Sequence, residues 1–342
     1  MSAISLMPEH FNFDQIKVLV TSACNSNCTH CFRGADKNKY VLSESKLIEI
    51  VDFAIANYTQ ALSFSGGEFF THPFAYGLLE YCLAKKIPTR VLTNATDLNL
   101  LFFEKRKDIN LLSIQVSIDG MKYNHDLRRG EGSFDATIHN VKGLSKLGIP
   151  ITAKMTLDEH NYTDVIDVIN MPYFTSYSIL PVALTSAAKR QTEYNSAVVK
   201  DYEKTINLLY KKQTTFADKT HRCRIFPHTL AIKYDGNVYP CGDAREHSLF
   251  CMGNITTRSL HETIQDYVNS ENSKILQNYV SNDIFECNNC HSKIVCNRGC
   301  RVRAYKFNGE FLSPDPFCCR IFNDNFSDIS MGCLFWGEKE SI

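Results

Sequence analysis

The sequence predicts an α/β protein, a parallel sheet of repeated strand–helix units followed by a smaller cysteine-rich part. Three observations predict it. Across residues 13–190 short β-branched runs alternate with longer stretches of helical periodicity, and such repeats build parallel sheets with right-handed crossovers. The chain has 342 residues, 44% of them apolar, which suits one large or two modest domains with a sizeable core. Its 14 cysteines fall largely into a group near the start and an array beyond residue 222.

The expected strands are Ile16–Thr21, Ala61–Ser65, Thr89–Thr93, Leu112–Ser117, Ile151–Thr156 and Tyr177–Val182, each a short β-branched or aromatic run. Helices are expected between them at Ser43–Ala56, Phe74–Lys86, Leu98–Arg106, Ser133–Leu147 and Asn161–Ile169. In the first of these, Leu47, Ile48, Val51 and Ile55 recur at helical spacing. Cys82 shares the second with Leu78, Leu79 and Leu83 and is expected in the core. Residues 191–222 read as a helical bridge, with Val198, Tyr202, Ile206 and Leu209 forming the apolar stripe of Tyr194–Thr215. The cysteine-rich domain is expected over 223–335. Within it, Tyr234-Asp235-Gly236-Asn237-Val238-Tyr239-Pro240-Cys241 reads as a hairpin around a D-G turn.

Just past the first strand comes Cys24-Asn25-Ser26-Asn27-Cys28-Thr29-His30-Cys31, a C-x3-C-x2-C spacing. On a loop, that spacing puts three thiolates around one point. Four usually close an iron–sulfur cube, so one iron is left open to a small ligand. The plainer readings are a structural zinc or three buried thiols, although a closed zinc site takes four protein ligands. Ser65-Gly66-Gly67-Glu68 follows the second strand and reads either as a close backbone approach to a ligand or as an ordinary turn. Thr93-Asn94 ends the third strand. Ser117-Ile118-Asp119-Gly120 ends the fourth and leads through His125-Asp126-Leu127-Arg128-Arg129-Gly130 to Gly132-Ser133-Phe134. Arg128 and Arg129 taken alone read as a solvated pair of loop charges, and Lys154 as a barrel-facing or snorkelling lysine. In barrels of parallel strands, chemistry collects on the loops after strand C-termini, where these motifs fall.

The second array spaces Cys223, Gly236 and Cys241 as C-x12-G-x4-C and Cys287, Cys290, Cys296 and Cys300 as C-x2-C-x5-C-x3-C, with Cys318 further on. Lys+Arg and Asp+Glu both number 37, so nothing in the charge balance draws the chain to nucleic acid or an anionic membrane. There is no signal peptide and no apolar run of about 18 residues, the length a membrane span needs. Cysteine-rich composition without a signal peptide points to metal ligation in a reducing cytoplasm.

Together the two cysteine arrays resemble the radical S-adenosylmethionine (radical SAM) enzymes that carry a SPASM domain, over roughly residues 13–335. The resemblance implies a partial (β/α)6, TIM-like barrel and three four-iron clusters. Cys24, Cys28 and Cys31 would hold the cluster whose open iron binds S-adenosylmethionine and cleaves it to a 5′-deoxyadenosyl radical. Cys223, Cys241 and Cys300 would hold auxiliary cluster I, and Cys287, Cys290, Cys296 and Cys318 auxiliary cluster II. Ala217 stands where some relatives have a further cysteine, so the last position of cluster I is expected open or filled by His221 or Cys319. The case against Cys319 is that neighbours in an extended chain point opposite ways. By the same resemblance Ser65, Gly66, Gly67 and Glu68 meet the methionyl amino group. His30 lies by the adenine, Thr93 and Asn94 by the nucleoside, Ser117 and Asp119 by the ribose, and Arg129 by the methionyl carboxylate. Phe69 replaces the proline usual after the glutamate. Cys251 and Cys333 are candidate hydrogen-atom donors, a buried structural thiol being the plainer reading of each.

The resemblance further implies an enzyme that abstracts a hydrogen atom from a peptide, giving epimerisation, crosslinking or oxidation in the maturation of ribosomal peptides. Two alternatives stay open: a carbohydrate or aminocyclitol dehydrogenase or epimerase, and a non-catalytic electron carrier. Only 23 residues precede Cys24, too few for the leader-recognition domain of some maturases, so a separate recognition protein or direct peptide binding is expected. Flavodoxin or ferredoxin is the expected reductant.

Overall fold

The computed structural model describes residues 10–31, 40–106, 108–158, 160–181, 225–245, 247–281, 284–290, 299–316, 318–319 and 335–338. Strands β1 (Gln15–Thr21), β2 (Leu62–Gly66), β3 (Thr89–Thr93), β4 (Leu112–Ser117), β5 (Ile151–Leu157) and β6 (Ser176–Pro181) lie side by side in chain order, all parallel. Helices α1 (Glu44–Ala56), α2 (Ala75–Ala84), α3 (Leu100–Glu104), α4 (Lys122–Arg129), α5 (Ser133–Lys146) and α6 (Val165–Asn170) fill the crossovers. The six-unit expectation holds, with strand ends displaced by a residue or so. The expected last residue of β6, Val182, and the bridge helix lie outside the described residues.

Alternation along the strands separates two faces. Ile16, Val18, Phe64, Val91, Ile114, Ala153 and Met155 point outward and are buried under Leu47, Ile50 and Val51 of α1, Leu78 and Cys82 of α2, and Val141 and Leu144 of α5. Cys82 is thus a core residue, and burial pushes its thiol up to about 12. The other face carries Lys17, Ser63, Arg90, Ser113, Ser117, Lys154 and Ser178. A flat sheet would set Lys17 on β1 and Lys154 on β5 about 19 Å apart, at about 4.8 Å per strand. Lys17 nevertheless lowers the pKa of Lys154, so the sheet is curled and this polar face is its inside.

The sheet does not stop at the barrel. β7 (Thr229–Ile232) runs parallel to β1, and β8 (Asn237–Tyr239) and β9 (Gly253–Asn254) extend it antiparallel. The expected hairpin is the β7–β8 pair, with Gly236 at φ 83° in its turn, where a left-handed residue favours glycine. β10 (Phe335–Glu338) closes the opposite edge against β6. Helices α7 (Leu260–Val268) and α8 (Glu271–Ser281) follow the hairpin, and α9 (Arg301–Asn308) follows Cys300. A capping box at Ser259 and Glu262 starts α7. Glu49 accepts from the Leu260 backbone N–H and Lys46 donates to the Arg258 carbonyl, tying α1 to α7.

Candidate functional site

Three strand ends meet at the cysteine loop. Thr21 at the end of β1 lies opposite Gly66 at the end of β2, and the Gly67 N–H donates to the Thr21 carbonyl at 2.7 Å. A Cβ on Gly66, whose φ is 153°, would stand 2.5 Å from that carbonyl oxygen. The close approach therefore requires glycine. Glu68 comes next, 3% exposed. Its carboxylate accepts from the Thr93 hydroxyl at 2.6 Å, the Asn94 N–H at 2.7 Å and the Phe70 N–H at 3.2 Å. Burial raises its pKa, and these donors oppose the rise. A carboxylate offers about four lone-pair positions, so three donors leave one for a ligand. Asn94 in turn donates to Asn25 at 2.8 Å and Ser26 at 3.1 Å, inside the cysteine motif. Asn94 is thus the strut between Glu68, met by its backbone N–H, and the cysteine loop, met by its side-chain amide, while the Thr93 hydroxyl holds Glu68.

From the far side, Asp119 reaches the same loop. It is fully buried at the end of β4. Oδ2 accepts from Arg129 Nε at 2.6 Å and lies 3.1 Å from His30 Nε2, while Oδ1 accepts from the Thr156 N–H at 2.8 Å. Burial would raise its pKa, but Arg129 and His30 hold it well below the usual carboxylate range. Arg129 Nη1 points at Cys28 Sγ from 3.9 Å. The reading of Arg128 and Arg129 as solvated loop charges is wrong. Both lie in α4, Arg128 is 5% exposed and donates to the Thr156 carbonyl, and its own carbonyl accepts from the Thr29 N–H. His125, fully buried in α4, accepts from the Asp119 N–H, and burial pushes it down to about 4. Thr156 and Asn161 as Asp119's supports escaped the sequence reading, because they carry no motif spacing, and His125 was quoted in a motif without this role.

The residues fit a cluster with an open iron. Burial raises the Cys28 thiol, Arg129 opposes the rise, and Cys24 and Cys31 both add to it through their charge, so the three sulfurs face one another. Among the described residues, no three Cys, His, Asp or Glu side chains converge on a single ion-sized point. Thiolates at different corners of a cube stand further apart than ligands of one zinc. His30 Nδ1 is buried without a hydrogen-bond partner and adds a donor or acceptor beside the triad. Ser65 and Ser117 are half-buried on the inner face.

In the second array, Cys223 and Cys296, like Cys333, lie outside the described residues. Of the described members, Cys318 is buried and Cys241, Cys287, Cys290 and Cys300 are half-buried. Lys306 of α9 donates to the Asp243 carbonyl, which brings the helix starting at Cys300 against the turn that follows Cys241. Asp315, 1% exposed, accepts from the Cys300 N–H at 2.7 Å and from Arg303, whose guanidinium also donates to Cys318 Sγ at 3.3 Å. Cys319 is pushed up to about 11 by burial and by the charges of Cys287, Asp315 and Cys290, so it stands beside Cys287 and Cys290. The extended-chain argument against Cys319 does not hold, since Cys318 and Cys319 are helical and about 100° apart in direction. Cys251 Sγ donates to the Gly253 carbonyl at 3.6 Å and packs beside the β8–β9 pair.

Comparison with known proteins gives two domain matches, the radical SAM superfamily over residues 18–171 and an iron–sulfur cluster-binding SPASM domain over 223–291. An AdoMet-dependent heme synthase of Methanosarcina barkeri is 24% identical, over 87% of this chain and 94% of its own length. The sporulation killing factor maturation protein SkfB of Bacillus subtilis is 28% identical over 65% of this chain, which spans 58% of SkfB. In three dimensions, Streptococcus suis SuiB, solved with its precursor peptide SuiA, superposes with a TM-score of 0.71 at 16% identity, over 90% of this chain and 76% of SuiB. At that identity the likeness shows the fold alone.

Proposed function

Since the chain is a radical SAM enzyme with a C-terminal SPASM domain, we propose that it modifies a ribosomally made peptide at the mouth of its barrel. The observation that carries this is the arrangement around Cys24, Cys28 and Cys31. Glu68 and Asn94 brace the loop from one side, and Asp119 and Arg129 from the other. Cys24, Cys28 and Cys31 hold the radical cluster, and the two auxiliary clusters take Cys223, Cys241 and Cys300, and Cys287, Cys290, Cys296 and Cys318. When bound, the cluster and S-adenosylmethionine supply a 5′-deoxyadenosyl radical that takes a hydrogen atom from an unactivated carbon. The chain's own part is positioning. The Gly66–Gly67 backbone and the spare lone pair of Glu68 receive an ammonium group, and Arg129 keeps positive charge beside Cys28. The curled inner face encloses the reacting carbon and keeps water away. Cys251 and Cys333 are the thiols to test as hydrogen donors.

The peptide reading is supported by SkfB, a maturation protein, and by SuiB's complex with a precursor peptide. A second reading, a tetrapyrrole substrate, is favoured by the heme synthase, which this chain matches over nearly its whole length. Among the described residues no helix is long and apolar enough to cross a membrane. A reducing cytoplasm, a flavodoxin or ferredoxin as electron donor and a separate leader-recognition protein complete the proposal.

The test is anaerobic turnover with dithionite. 5′-Deoxyadenosine should form, and should disappear when Cys24, Cys28 and Cys31 are all alanine. A short peptide encoded beside the gene should change mass by the loss of hydrogen or gain deuterium from deuterium oxide. Unchanged peptide alongside a converted porphyrin would favour the second reading.

A further inference from the structure

The inner face of the barrel carries more positive charge than its own residues answer. Lys17 on β1, Arg90 on β3 and Lys154 on β5 all project there, between outward-facing Val18, Val91 and Ala153. Their described partners are neutral. Lys154 Nζ donates to the Ser178 hydroxyl at 3.0 Å, and Arg90 Nε to the Ser113 hydroxyl at 3.4 Å. Among the described residues none of the three makes an ion pair. The Lys17 side chain reaches across to Gly242, beside Cys241, where a Cβ would lie 3.7 Å from Nζ. The cationic face therefore extends toward Cys241 of the second array.

An enclosed cation without a counter-charge is costly. Burial first and the charge of Lys17 second lower the Lys154 pKa to about 7, while Asp243 and Asp119 push the other way. An ammonium has three donors, and Ser178 takes one. The glutamate and aspartate nearest the mouth are already committed, Glu68 to Thr93, Asn94 and Phe70, and Asp119 to Arg129 and His30. What the interior lacks is an anion with acceptor oxygens.

We propose that the barrel interior is an anion site for the substrate, in which Lys154, backed by Lys17, receives a carboxylate of the molecule being modified. This rests on the reading of the barrel mouth as the radical site. The carboxylate comes from an acidic side chain or C-terminus of a peptide, or from a propionate of a tetrapyrrole. Guanidinium and ammonium groups both pair with carboxylates through charge-assisted hydrogen bonds.

The experiment uses the holoprotein with its clusters and S-adenosylmethionine, kept anaerobic. Acetic anhydride labels amines near neutral pH, and mass spectrometry follows acetylation at Lys154 and at exposed Lys122. Glutarate at about twice its Kd should slow labelling of Lys154 about threefold by simple occupancy, and leave Lys122 unchanged. Glutaramide, the neutral counterpart, should protect neither. A glutamate-containing peptide with amidated C-terminus and a propionate-bearing porphyrin form the two further arms. Whichever protects Lys154 names the source of the carboxylate. Lack of protection by every carboxylate overturns the proposal. So does full protection by S-adenosylmethionine alone, since the anion would then be its own carboxylate. Protection with no peptide ever modified leaves the proposal standing and removes the peptide function. A Lys154→Met enzyme that modifies its peptide with unchanged KM does the reverse.

Discussion

At the scale of single residues, the site is held by buried charges whose partners are fixed. Asp119 offers no surface to water and is met by Arg129, His30 and the Thr156 N–H. Changing Asp119 to Asn leaves Arg129 enclosed without its counter-charge. Removing one member of a buried pair costs about 3–5 kcal/mol. The holoprotein's urea midpoint should fall accordingly, and Cys28 should lose its bracing guanidinium. Because the folded pKa of Asp119 is depressed, its stabilisation is complete above the ordinary carboxylate range and is lost only as pH falls toward the folded value. It therefore adds no pH dependence near neutrality. Lys154 is the opposite case. Its pKa drops from 10.5 to about 7, so between those values the unfolded chain binds more protons than the folded one. Stability should rise with pH across that window, by an amount absent from Lys154→Met. Equal slopes in the two proteins, measured by thermal unfolding from pH 7 upward, would show that the lysine is not enclosed among Lys17, Asp243 and Asp119 as described.

At the scale of elements, β1 to β6 and their covering helices were legible because the sheet is buried on its outer face. The short β-branched run of Ile16, Val18 and Val20, with Lys17 and Leu19 between them, is a strand signal in its own right. α4 was not legible. Its eight residues, Lys-Tyr-Asn-His-Asp-Leu-Arg-Arg, hold no apolar stripe. What secures it is Asp126, which accepts from the Phe134 and Gly132 N–H groups, and the burial of the polar His125 and Arg128. Polar cores of that kind have no periodicity to read. α7 was legible and was missed, since the Ser259–Glu262 capping box precedes a buried stripe of Leu260, Ile264 and Tyr267, whereas α9, which starts after Cys300, has no such stripe. The Gly66–Gly67–Glu68 turn was legible by its motif, and the structure supplies the reason for its first glycine. Gly66→Ala forces a Cβ against the Thr21 carbonyl at positive φ, a strain of about 1–3 kcal/mol. The β1–β2 register should give way at its last pair, and S-adenosylmethionine affinity should fall while the auxiliary iron content stays whole. Iron analysis beside a binding titration checks it. Unchanged affinity would mean that the turn relaxes without moving the site.

At the scale of the whole molecule, a barrel domain at 13–190 and a separate cluster domain at 223–335 are the expectation from sequence, because the composition changes between them. Between the two regions β7 pairs in parallel with β1, from Gln15↔Thr229 to Val18↔Ile232. β8 and β9 then continue the same ten-stranded sheet. Residues 229–232 are all buried, and Leu230, Ala231 and Ile232 belong to the same core as Ile16 and Val18. Sequence could not show this, because a strand carries no mark of which neighbour it will take. Stripping the hairpin away would expose the whole β1 edge, an open row of backbone donors and acceptors beside apolar side chains. The two regions should therefore unfold as one cooperative unit. The protein supplies its own probes at opposite ends of the sheet. Its single tryptophan, Trp336, lies on β10, paired with Ser178 of β6 at one edge. In a protein whose Cys24, Cys28 and Cys31 are all alanine, the iron–sulfur absorbance that remains reports the second array, beyond β7 at the other. Under anaerobic denaturation the tryptophan fluorescence and the cluster absorbance should fall with coincident midpoints, which is the signature of two-state loss. A cluster signal that disappears while tryptophan fluorescence stays native would show instead that the cysteine-rich part opens on its own, with β1 tolerating a bare edge.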